Sequence, residues 1–511
     1  MVLSAGAMGL ATAVSRVLGF ARDWLIAVFY GTSPTAQAFV VAFRVPNLFR
    51  DLIGEGASNA AFVPVFSRTR AREGEASWAA LAQAVWARLL IGFIVICVLG
   101  VLLAPWITRV VAPGFRADPV LFQQTTRLMR ILFPFLGLIA AAAFFMGVLN
   151  SIHHFTLPSL GPAILNVCMI AGIFAWKPDA LGLAWGIIVG GFAQIAIQVP
   201  QLRRAGIRLK PVWKYHPGVG EIRRLLIPRA LGTAVYQGDV LVDTIFASFR
   251  ELVGSGGVAS LYFANRFLQL PLGLFGVSMA QAALPALSHH VAADDMASVR
   301  STFLKALRST LLIAIPSAVG LLILGQPIIA TLLERGAFLP EATAQTVSVL
   351  RFSALGLVSI CAVKVLVNVL YAFHDTWTPV RSAAIALLIN LVLDSILVFP
   401  LKLGGLALAT AVSSTWNCAQ LYQAVRKRLG PMEDELKGWS ARVIGASVGM
   451  GFISWLVWTM GQAFLAPAPS WQAVLLLLAA VSGGSASFVA FCLWLRVEEI
   501  RQLLTWIFRR R

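Results

Sequence analysis

Apolar stretches of 18 or more residues recur from one end of this 511-residue chain to the other, separated by short polar loops. Runs of that length can cross a bilayer as helices. The pattern predicts fourteen transmembrane helices, at about residues 3–29, 35–66, 77–104, 120–149, 157–176, 180–200, 222–249, 257–288, 298–325, 341–373, 378–399, 403–425, 440–463 and 471–495. The roughly ten-residue alternating segments of a membrane β-barrel are absent. The expected fold class is an all-α polytopic membrane protein. The first run is too long for a cleavable signal peptide, and no small-residue cleavage site follows it.

Composition agrees: 59% of residues are hydrophobic, 12% are charged, and the mean hydropathy is +0.81. A soluble chain carries about twice that charged fraction. The formal net charge of +19 does not argue for a nucleic-acid partner, because the basic residues sit mostly in alternate loops. One set of loops holds Arg68, Arg70 and Arg72, then Arg203, Arg204, Arg208, Lys210 and Lys214, then Arg300, then Arg426, Lys427, Arg428 and Lys437. The opposite loops hold few. The positive-inside rule then puts both termini in the cytoplasm. The basic tail, 497–511, alternates apolar and charged residues and is expected on the membrane surface. The five cysteines are widely spaced in apolar runs and read as small buried hydrophobes.

The chain also resembles itself at a shift of 221 to 223 residues. Ala42 and Arg44 match Ala264 and Arg266, Val148-Leu149 matches Val369-Leu370, His153 matches His374, Pro158 matches Pro379, and Gly182-Leu183-Ala184 matches Gly405-Leu406-Ala407. Each copy spans six segments, an even number, so the repeats are parallel. The expected organisation is an N-lobe at 1–210, a C-lobe at 218–430, and two added helices at 438–496. Such lobes alternate access by rocking about a central cleft.

The first two segments break their own apolar pattern. They contain Arg16, Arg22, Asp23, Arg44, Arg50, Asp51 and Glu55. One charge at mid-bilayer costs roughly 2.5–3.5 kcal/mol, so seven facing lipid would cost on the order of 20 kcal/mol. They must face one another, water or a ligand. Gln37, Arg44, Asp51 and Glu55 share one helical face, as do Arg16 and Asp23. Arg266 joins them through the repeat, with Asn265 and Gln269 beside it. The set has an excess of positive charge, and arginine's planar fork suits phosphate oxygens. The other reading is a set of internal salt bridges, strongest for Arg22–Asp23 and for Arg50 and Asp51.

A second set is acidic: Asp239 and Asp243 one turn apart on the seventh segment, Asn390 and Asp394 one turn apart on the eleventh, and Thr410 on the twelfth. Carboxylates with neutral oxygens suit a hard cation. Pairing of Asp243 or Asp394 with Lys364 or Arg351 is the alternative. No GxxxxGK[ST] motif and no HExxH is present, so neither ATP hydrolysis nor an enzyme is expected.

The run Ser15-Arg16-Val17-Leu18-Gly19-Phe20-Ala21-Arg22-Asp23 resembles the opening signature of the MurJ (MviN) lipid II flippases. So does Ala42-Phe43-Arg44-Val45-Pro46-Asn47-Leu48-Phe49-Arg50, followed by Gly54-Glu55-Gly56. The likeness continues through Thr244–Phe249, Thr378-Pro379-Val380 and Pro400-Leu401-Lys402. This family lies in the multidrug/oligosaccharidyl-lipid/polysaccharide exporter superfamily, with two six-helix lobes and two extra helices that form a lipid-tail groove. The resemblance implies movement of undecaprenyl-diphosphate-linked peptidoglycan precursor between leaflets of the bacterial inner membrane. It implies substrate-binding roles for Arg16, Arg22, Asp23, Arg44, Arg50, Glu55 and Arg266. It also implies a sodium site at Asp243, Asn390, Asp394 and Thr410, sodium being the one cofactor expected. The partners implied are lipid II, membrane lipids and the cell-wall machinery, with the chain a monomer. A polysaccharide-lipid or multidrug exporter and a non-transporting scaffold are the alternatives. Gln37, Asn265 and Gln269 stand where the family can carry acids, which makes this chain's set more positive.

Overall fold

The computed structural model describes residues 2–50, 62–152, 154, 156–176, 179–206, 210–465 and 470–509. At 2–10, 49–50, 227–236, 274–275, 277, 465, 470, 503–504 and 506–509 it describes the backbone alone. Of the candidate residues, the Arg50 side chain, Asp51 and Glu55 therefore lie outside what is described.

The described chain is helical and contains no strand. The elements are α1 (Val2–Tyr30), α2 (Pro34–Arg50), α3 (Val63–Val111), α4 (Pro119–Ser151), α5 (Thr156–Ser159), α6 (Gly161–Ala175), α7 (Leu181–Arg204), α8 (Pro217–Tyr236), α9 (Gly238–Ala247) and α10 (Arg250–Val253). They continue with α11 (Gly257–Pro271), α12 (Val277–Ala292), α13 (Met296–Leu333), α14 (Pro340–Ala372), α15 (Trp377–Leu401), α16 (Leu403–Leu429), α17 (Glu433–Leu465), α18 (Ser470–Trp494) and α19 (Glu498–Arg509). Helix lies over each of the fourteen expected segments as far as the described residues reach. Nine stretches among them are long and apolar enough to cross a membrane by length and composition.

The departures are local. The third segment begins earlier than expected, because α3 runs on from Val63 through a kink at Gly74, whose φ of 87° is open to glycine. The seventh segment is broken at Gln237, between α8 and α9. The eighth is broken by a π-helical turn, Leu272–Gly276, between α11 and α12. Single π turns inside helices cluster at functional positions.

The chain separates into two compact units, Met1–Ala259 with Gly336–Phe338, and Ser260–Arg335 with Leu339–Arg511. In the first, α3, α4 and α7 close over a core that includes Phe62, Phe66, Trp78, Phe144 and Phe145. In the second, α12, α13, α14 and α16 share one core. There, α17, α18 and α19 pack on α13 through Trp439, Val443, Phe488, Val497 and Ile500. The tail helix α19 is pinned where Trp439 Nε1 donates to Glu499 at 2.8 Å.

Lipid tails are as apolar as leucine, so helices in a bilayer associate by close packing of small residues. Both units use the same device. A Cβ on Gly182 of α7 would overlap the carbonyl oxygen of Gly172 on α6, and one on Gly405 of α16 would overlap that of Leu397 on α15. The helix ends before these hairpins match as well. His154 N donates to Leu149 O at 3.0 Å, and Asp375 N to Leu370 O at 2.9 Å, the same 221-residue shift seen in the sequence.

Candidate functional site

In the first unit, α1 turns a charged pair inward. Arg22 and Asp23 are 9% and 7% exposed. Arg22 Nη2 and Nε donate to Asp23 Oδ1 at 2.7 and 2.9 Å. Arg22 Nη1 reaches across to Asn166 Oδ1 on α6 at 2.8 Å, and Asn166 Nδ2 donates back to the Ser15 carbonyl at 3.0 Å. A guanidinium that would be costly in lipid is thus neutralised and hydrogen-bonded on more than one edge. Its bonds fix α1 against α6. Arg16, six residues earlier, is exposed.

Arg44 of α2 is half-buried. Its Nη1 donates to the Val240 carbonyl at 3.0 Å and to the Thr244 hydroxyl, both on α9. It therefore grips the short helix that begins after the break at Gln237 and carries Asp239 and Asp243. Asp239 Oδ1 is buried and makes no hydrogen bond with the described residues. Gln37, two turns before Arg44, is 8% exposed.

In the second unit, Arg266 lies on α11 just before the π turn. Its Nη2 donates to the Tyr262 hydroxyl at 2.9 Å and its Nη1 to Gln269 at 3.2 Å, and the guanidinium carbon sits 4.5 Å from the centre of the Tyr262 ring. The side chain is only part-buried. The tyrosine orients the fork by a cation–π contact.

Three of the acidic-set residues meet within the second unit. Asn390 and Asp394 of α15 are fully buried. With its amide nitrogen turned to Asp394 Oδ2 at 3.2 Å, Asn390 accepts from the Thr410 Oγ1 and backbone nitrogen of α16, both at 3.3 Å. In this orientation the amide already satisfies the carboxylate; in the opposite one Asn390 Nδ2 donates to Thr410 Oγ1 at 3.3 Å and the amide oxygen faces Asp394, a pair of oxygens suited to a hard cation. Asp243 belongs to the first unit. Arg351 makes no ion pair among the described residues. No group of three or more His, Cys, Asp or Glu that could hold a metal exists among the described residues.

Asn166, Thr244 and Tyr262 were missed in reading the sequence. Asn166 carried a usable signal, a lone amide in an otherwise apolar segment. The other two are residue types common in any helix.

The family profile described as "Lipid II flippase MurJ" matches residues 26–480. The chain belongs to the MurJ family. A "Probable lipid II flippase MurJ" of Haemophilus influenzae is 34% identical over 465 residues, which is 87% of this chain and 90% of that protein. One from Vibrio cholerae is 34% identical over 505 residues, 95% of this chain and 94% of that protein. A solved structure titled "Lipid II flippase MurJ, inward closed conformation" superposes with a TM-score of 0.79 at 26% identity, covering 96% of this chain and 98% of that one. An inward-facing multidrug resistance MATE transporter shares the fold, with a TM-score of 0.69 at 15% identity over 82% of this chain and 96% of its own. The chain is thus a multi-pass membrane protein of a transporter family rather than an enzyme.

Proposed function

We propose that this chain is a lipid II flippase that moves undecaprenyl-diphosphate-linked peptidoglycan precursor from the cytoplasmic to the periplasmic leaflet by alternating access. The observation that carries this reading is the family match over residues 26–480, on a chain with charges placed at membrane depth. Arg16, Arg22, Arg44, Arg50 and Arg266 are the basic residues of the substrate site, and Asp23 and Glu55 its acidic ones. Differences in burial support a division of labour. Arg22, at 9% exposure, orients α1, while the more open Arg16 and Arg266 reach substrate.

The sequence repeat supports lobes at 1–210 and 218–430 with helices at 438–496 as the tail groove. The loop charges support cytoplasmic termini. Sodium at Asp394, Asn390 and Thr410, with Asp243, biases the cycle. The membrane potential adds about 2.3 kcal/mol per charge per 100 mV. The protein works as a monomer beside the cell-wall synthesis machinery. The test is complementation of a strain depleted of its own flippase. The wild-type chain should restore growth and the appearance of lipid II in the outer leaflet. Arg266→Ala and Arg22→Ala should restore neither while remaining in the membrane at normal levels. Full growth with either variant would overturn the site assignment, and failure of the wild type to restore outer-leaflet lipid II would overturn the function.

A further inference from the structure

The first turns of α15 and the last turns of α16 line an open cavity of about 450 Å3 within the second unit. Its wall carries three cations, Arg381 from α15 and Lys427 and Arg428 from α16, with Trp377, Trp416 and Gln420 beside them. One of the cations is committed. Arg428 donates to Asp375 Oδ2 at 2.7 Å and lies 5.0 Å from the centre of the Phe373 ring.

The Asp375 carboxylate is committed too. It accepts from the Thr378 backbone nitrogen at 3.0 Å and the Thr378 hydroxyl at 2.9 Å, capping α15. Partial burial works against its charge, but the bonds from Thr378 and Arg428 outweigh this and hold its pKa below the usual carboxylate range. It is therefore ionised at neutral pH and spent on Arg428. Arg381 and Lys427 are exposed and make no ion pair or hydrogen bond with the described residues. The cavity has two uncompensated positive charges.

Trp377 is 72% exposed, as expected of a ring seated at the membrane–water interface. The loop before α15 joins the tenth and eleventh segments, on the side the basic loops mark as cytoplasmic. Basic pockets between transmembrane helices on that side take anionic lipid head groups. The volume exceeds what a lone phosphate ion fills and suits a glycerophosphate head group.

We propose that this cavity binds the phosphate of an anionic phospholipid in the cytoplasmic leaflet, at a site separate from the charges on α1, α2 and α11. The site rests on the orientation proposed above but not on the identity of the transported substrate.

The experiment uses the full chain in nanodiscs of equimolar phosphatidylglycerol and phosphatidylcholine, with retained lipid measured by native mass spectrometry. Wild type should retain phosphatidylglycerol selectively, and R381Q/K427Q should bind it about 30-fold more weakly. R381K/K427R keeps both charges and should behave as wild type, which separates loss of charge from misfolding. Equal retention by wild type and R381Q/K427Q would overturn the proposal. So would displacement of the lipid by millimolar inorganic phosphate, which would mark the cavity as a site for a soluble anion. Complementation is read separately, so a failed lipid test leaves the flippase reading intact.

Discussion

The hairpins α6–α7 and α15–α16 occupy corresponding places in the sequence repeat. They share a glycine that brings two backbones together, Gly182 in one and Gly405 in the other. They are entered past matching helix ends, at Leu149 and Leu370. Their interiors differ. The first hairpin buries Asn166, whose amide serves the arginine of another helix. The second buries a carboxylate, Asp394, with Asn390 and Thr410 around it. The same skeleton can therefore hold a neutral brace or a buried carboxylate, and the choice lies in a few polar side chains at apolar depth. Backbone contacts define the repeat, and buried polar residues distinguish its two copies.

The sharpest way to break the shared skeleton is to fill its glycines. Gly182→Val and Gly405→Val each place atoms where a neighbouring carbonyl oxygen already sits, and neither backbone can move without opening its hairpin. Both variants should lose more than about 4 kcal/mol and yield little monodisperse protein on size-exclusion chromatography in detergent. If one variant is tolerated and the other is not, the two hairpins are not packed alike.

The difference between the interiors is tested by sodium. If Asp394, Asn390 and Thr410 hold the ion, replacing choline chloride by sodium chloride at ten times the Kd should stabilise the wild type by about 1.4 kcal/mol. Asp394→Ala should abolish that rise in melting temperature, and Asn166→Ala should leave it intact. A sodium-dependent shift that survives in Asp394→Ala would remove the ion from the second hairpin.

Asn166 should matter in another way. Asn166→Leu leaves the Arg22–Asp23 pair in place but removes two hydrogen bonds between α1 and α6. Polar contacts between membrane helices are worth about 1–2 kcal/mol at the upper end, so the variant should melt lower by that amount and complement weakly. Asn166→Asp keeps the acceptor for Arg22 but loses the donor to the Ser15 carbonyl, so it should recover only part of the loss. Equal melting of Asn166→Leu and wild type would show that α1 is held by other contacts.

This pair also shows where sequence reading stops. The apolar runs exceed the bilayer thickness, so the helices could be placed from the sequence. Gly182 and Gly405 could be aligned because small residues stand out in leucine-rich segments. The link from Arg22 to Asn166 spans 144 residues, and a lone amide has no periodicity to reveal its partner. The break at Gln237 was hidden for a related reason. The residues of the seventh segment do not by themselves show where α9 is gripped from outside by Arg44. Asn390 and Asp394 were legible as a pair because they are one turn apart, whereas their contact with Thr410 needed the hairpin that brings α16 beside α15.

The smallest expected effect lies at the turn of the second hairpin. α15 passes into α16 across Lys402 alone, at φ 51° and ψ −130°. That left-handed conformation suits glycine and strains a residue with a Cβ. Lys402→Gly should therefore raise the melting temperature, with about 1 kcal/mol of relieved strain set against the added freedom of glycine in the unfolded chain. The α6–α7 hairpin is entered through Ala180 at an ordinary φ of −66°, and Ala180→Gly should be mildly destabilising. Opposite signs for the two glycine substitutions would show that the strain belongs to one hairpin. A drop in stability for Lys402→Gly would mean that the lysine side chain stabilises the turn by more than its backbone costs.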